Sequence, residues 1–71
     1  MNMSEETGTV TFTDNLKGFG FIRRKAGKDA FFVYSEVNGF EGLVELFAGD
    51  SVSFDIVKDG KGPRAVNILK I

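Results

Sequence analysis

An all-β chain, folded as a five-stranded antiparallel barrel, is predicted by three observations. Five short runs rich in β-branched and aromatic residues follow one another along the 71 residues. Turn signals built on Gly, Asp and Asn separate most of them. No stretch repeats its apolar residues at helical spacing over the length a globular helix needs.

Residues 1–6 are polar and without periodicity, so a frayed tail is expected there and a single domain from 7 to 71. Thr7 to Thr13 interleaves threonines with Val10 and Phe12 and reads as strand one. Asp14-Asn15 is a turn signal, and strand two runs from about Lys17 to Arg24. Ala26-Gly27-Lys28 closes a hairpin onto strand three, about Asp29 to Tyr34. Alternation there puts Phe31 and Val33 on one face and Ala30 and Phe32 on the other, the core face.

Between Ser35 and Asp50, the group Leu43, Val44, Leu46 and Phe47 is expected to form one helical turn over the barrel bottom, with Gly42 and Gly49 as breakers. Val52, Phe54 and Ile56 alternate with Ser51, Ser53 and Asp55 as a half-buried strand four. Asp59-Gly60 makes a hairpin turn. Pro63 opens strand five, with Val66 and Ile68 facing inward. Closure of the OB type suits such strands, because it removes exposed edges and presents strands two and three as one face.

A chain this short holds one core and buries only about 60% of its unfolded surface, so marginal stability is expected. There is no cysteine and no histidine, which excludes disulfides and thiolate metal sites and leaves the serines without a catalytic base. No apolar run reaches membrane-spanning length, so a soluble, cytoplasmic protein is expected.

The net charge of −1 alone argues against a nucleic-acid partner, but the charges are segregated. Residues 14–34 carry Lys17, Arg23, Arg24, Lys25 and Lys28 against Asp14 and Asp29. Lys58, Lys61, Arg64 and Lys70 face only Asp59 in the last segment, whereas residues 35–57 hold five acids and no base. Both aromatic runs thus lie in a basic segment, compatible with a basic binding face.

Those runs are Lys17-Gly18-Phe19-Gly20-Phe21-Ile22 and Ala30-Phe31-Phe32-Val33-Tyr34. On a strand Phe19 and Phe21 project together, while Gly18, Gly20 and Ile22 face the other way. Ile22 is the bulky aliphatic that belongs in a core, so the two rings are displayed. A displayed aromatic row beside a lysine suits stacking of unpaired bases. The rival reading has these rings packed as core on both sides of a sheet.

The first run follows the RNP1 pattern of RNA-binding sheets over six places and departs at Arg24, where that pattern has an aromatic. An RRM is disfavoured, because its RNP1 lies deep in the chain between helices. The order found here, two aromatic runs with no helical pattern between them, resembles the cold-shock domain. The resemblance covers residues 7–71 and is strongest at Lys17–Ile22, Ala30–Tyr34 and the tail Gly60–Ile68.

That resemblance implies a single-strand nucleic-acid binder, for RNA or DNA, acting as an RNA chaperone. It makes Phe12 an outward ring where the family usually has tryptophan, although alternation groups Phe12 with Val10. Both hold only if strand one bulges. The residues expected to meet the strand are Phe12, Lys17, Phe19, Phe21, Phe31, Val33, Tyr34, Lys61 and Arg64, the basic members on phosphates. Arg23, Arg24 and Lys25 contribute a general field. No catalytic residue, cofactor, metal or membrane is expected, and the protein is expected to be a monomer.

Three departures from the family bear on affinity: Thr11 for a usual lysine, Thr13 for a usual phenylalanine and Val33 for a usual histidine. They favour the alternative of a protein-interaction barrel with degenerate nucleic-acid binding.

Overall fold

The computed structural model describes residues 6–25, 27–37, 46–60 and 62–71. Its strands are β1 (Glu6–Asp14), β2 (Phe19–Arg24), β3 (Ala30–Val33), β4 (Ser51–Asp59) and β5 (Gly62–Lys70), with a 3-10 turn at Tyr34–Glu36. They close into a barrel in the order β1-β2-β3-β5-β4. Direction alternates along the chain, and an odd number of strands cannot close with every neighbour antiparallel. The β3–β5 seam, where Phe31 meets Arg64, is therefore parallel, and this pair departs from the antiparallel expectation.

The interior is filled by Val10, Ile22, Ala30, Phe32, Val37, Leu46, Val52, Phe54, Ala65 and Ile68. Ile22 and Phe32 are core, as the alternation predicts. Gly20 lies between them in the same layer because nothing larger fits. A Cβ there would sit 2.4 Å from the Phe12 carbonyl oxygen and 2.8 Å from the Phe32 ring. Since a backbone carbonyl cannot swing aside, Gly20→Ala is expected to cost about 1–3 kcal/mol through overpacking. A lower urea midpoint checks this; an unchanged one would mean that β1 and β2 are less closely apposed.

Two bulges rewrite the simple alternation. In β1, Val10 pairs with Ile22 and Phe12 with Phe21, so Thr11 is the extra residue. The bulge lets Val10 point in and Phe12 point out, which reconciles the two sequence expectations. A second register shift lies between Ser53 and Asp55 of β4, facing Leu69 and Val66 of β5. There Asn67 adopts φ 53, a left-handed conformation that asparagine tolerates better than most residues. Its side-chain amide donates to Asp55 at 3.2 Å.

This second bulge corrects the β5 assignment, and a separate correction falls on β4. Ala65 and Ile68 are the buried residues of β5, three apart, whereas Val66 is only half-buried rather than inward. Ser53, expected to face solvent, is buried between its cross-strand neighbours Thr7 and Leu69. Ile56 does pack against the core.

Element ends also shift. Glu6, placed in the tail by sequence, is a β1 residue paired with Phe54. Its carboxylate accepts a two-pronged pair of hydrogen bonds from Arg24, each 3.0 Å, which ties the start of β1 to the end of β2. Residues 1–5 lie outside the described residues, as do Leu43 and Val44 of the expected helical turn. Of that group, Leu46 is buried and Phe47 exposed.

Candidate nucleic-acid interface

Four rings meet on the outer face of β1, β2 and β3. Phe21 lies directly across from Phe31, and Phe12 pairs with Phe21 beyond the bulge. Ring centroids are 5.8 Å apart for Phe19 and Phe31, 5.7 Å for Phe21 and Phe31, and 5.9 Å for Phe12 and Phe19. These tilted and edge-to-face arrangements support each ring laterally. The faces left over meet water: Phe12 is 46% exposed, and Phe21 and Phe31 are 37% exposed each. Phe19 is half-buried among the others.

Around this cluster the other expected site residues fall into different places. Val33 is half-buried opposite Phe19 on the ring face. Tyr34 is not brought to the cluster. It starts the 3-10 turn, and its ring stacks on the core ring of Phe32 at 5.8 Å and 7°. The Tyr34 hydroxyl donates to the Leu46 carbonyl at 3.1 Å and meets the Asn15 side chain. Its aromatic character thus serves the barrel edge.

Lys17 is exposed but lies in a turn rather than in strand two, where the sequence reading places it. The Asp14 carboxylate accepts the N–H groups of Leu16 and Lys17, at 3.1 and 3.0 Å, and the Asp14 carbonyl accepts that of Gly18. With Gly18 at φ 78, these bonds hold a tight turn and delay β2 to Phe19. Arg64 sits next to Phe31 across the parallel seam, with its guanidinium 3.9 Å from the Glu36 carboxylate. Lys61 lies outside the described residues.

Residues 6–71 match the family model described as 'Cold-shock' DNA-binding domain. The chain belongs to the cold-shock domain family. Among its relatives, the cold shock protein CspB of Geobacillus stearothermophilus is 39% identical over 66 residues, 93% of this chain and 98% of that protein. The cold shock-like protein CspLB of Listeria monocytogenes is 42% identical over the same shares. The chain is also similar to a solved structure, Drosophila Unr CSD456, with a TM-score of 0.80 and 26% identity over 96% of this chain and 27% of that longer one.

The family is a nucleic-acid-binding one, and the electrostatics of this cold-shock domain bear on that. Arg23, Lys25 and Lys28 are exposed and enter no ion pair among the described residues. Arg24 differs. Its hydrogen bonds to Glu6, aided by that carboxylate's charge and opposed by burial, raise the guanidinium above its ordinary pKa. It is a structural cation, not part of a free field.

Two further exposed residues adjoin the expected site residues in sequence. Leu16, at the tip of the β1–β2 turn, is 97% exposed, and an isolated leucine in a turn carries no periodic signal. Arg23, expected only to add to the general field, is two residues beyond Phe21 on the same face of β2. Counting by twos from Phe19 does reach that position.

Proposed function

We propose that this cold-shock domain binds single-stranded RNA or DNA by stacking bases on Phe12, Phe19, Phe21 and Phe31, and works as an RNA chaperone. The observation that carries the reading is the ring cluster itself: four phenylalanines on one outer face, mutually braced, each with surface left for a base. A stacked base contributes about 1–3 kcal/mol and needs no particular sequence, because every base has a π-face. Lys17 at one end and Arg64 across the seam neutralise phosphates, with Val33 as an apolar flank.

Chaperoning then needs no chemistry. A protein that binds the unpaired strand and not the duplex shifts the pairing equilibrium toward single strands by mass action. Stacking on the rings requires bases already out of the helix, which supports a preference for single strands.

Titrating a labelled duplex and its separated strands tests this directly. Single strands are expected to bind more tightly, with log affinity falling against log salt at a slope of about −0.7 per phosphate neutralised, hence only a few units in all. Equal affinity for both forms would overturn the reading. A slope near zero would favour a protein-interaction barrel.

A further inference from the structure

Past the rings, the sheet carries a groove of about 400 Å³ whose lining includes Thr9, Arg23, Arg24, Lys25, Ser51 and the apolar Ile71. Its floor follows from the register. Arg23 of β2 pairs with Thr9 of β1, and Thr9 pairs with Ser51 of β4, so a cation and two hydroxyls form one row across three strands. Adjacent strands are about 4.8 Å apart, so the row spans roughly 10 Å. All three residues are exposed.

The row begins two residues, roughly 6.6 Å, from Phe21 on the ring face. Arg23 and Lys25 have no ion-pair partner among the described residues, whereas Arg24 between them is engaged by Glu6 and braces the wall. Among the described residues, no aromatic ring lines the groove. It therefore offers charge and hydroxyl donors but no plate for a base, a set suited to phosphodiester oxygens.

We propose that this groove holds the backbone phosphates of the same single strand after its bases leave the rings, extending the footprint across β1 to the start of β4. The inference rests on the single-strand reading above, and the following experiment separates the two.

Anisotropy titrations with labelled oligothymidylates of about 4 and about 8 nucleotides compare a platform-length strand with one long enough to reach the groove. The longer strand is expected to bind more tightly than statistical placement explains. The double variant Arg23→Gln/Lys25→Gln is expected to weaken the longer strand about tenfold and the shorter less than about twofold. It should also lower the longer strand's salt slope by about 1.4, or 0.7 for each phosphate no longer neutralised. The variant Lys28→Gln/Lys58→Gln, with the same charge removed at exposed positions outside the groove lining, should retain the length gain. The Thr9 and Ser51 amide resonances should shift with the longer strand alone.

Equal weakening in the two double variants would reduce the effect to overall charge and overturn the proposal. So would a length gain that survives Arg23→Gln/Lys25→Gln while binding of an acidic peptide is abolished, which would give the groove to a protein partner. No binding of either strand would overturn the single-strand reading as well; binding without a length gain would overturn only the groove.

Discussion

Replacing Phe32 by alanine unfolds much of the population, or lowers the thermal midpoint by tens of degrees. The ring is fully buried, touches the space that Gly20 leaves open and stacks on Tyr34. Truncating a buried phenylalanine costs about 3–5 kcal/mol, combining the forfeited transfer energy with the cavity left behind. A whole domain is stable by only about 5–15 kcal/mol, and one this small belongs near the lower end. Each kcal/mol shifts the midpoint of such a domain by roughly 4–8 °C. Thermal melts followed by far-UV circular dichroism measure the effect. A shift under a few degrees would mean that the core closes without this ring.

Phe31→Ala gives the opposite profile. Its neighbour in sequence is core, but Phe31 stands on the outer face against Phe19, Phe21 and Arg64. Removing one stacking plate of about 1–3 kcal/mol weakens oligonucleotide binding by roughly 5- to 150-fold. Stability changes much less than in Phe32→Ala, because the ring is already 37% exposed when folded. Affinity and melting temperature measured on both variants form one cross-check. If Phe31→Ala unfolds the protein and Phe32→Ala only weakens binding, the two faces of β3 are inverted.

Local pattern was enough for much of this. Period-two alternation is a property of the strand itself, so Phe19, Phe21 and Phe31 read as one face and Ile22 and Phe32 as the other before any fold was known. The inward Val52 and Phe54 follow from the same rule. Alternation fails wherever a bulge inserts a residue, and the β5 assignment fails at Asn67 for that reason. Tyr34 is misleading in a different way. An aromatic next to an aromatic run looks like one more plate, but the chain leaves the strand at that residue and folds its ring onto Phe32.

By itself, the sequence determined the strand content, the residues of the inner layer in β2 and β3, and the aromatic row. Each depends on neighbours within a few positions along the chain. Tertiary structure alone decided where strand one bulges to bring Phe12 against Phe19 and Phe21, that Arg64 lies beside Phe31, and that Arg23, Thr9 and Ser51 align across three strands. Those relations depend on bulges, on the parallel seam and on closure of β1 against β4. Each is set by register between segments distant in sequence, which side-chain periodicity along one strand does not encode.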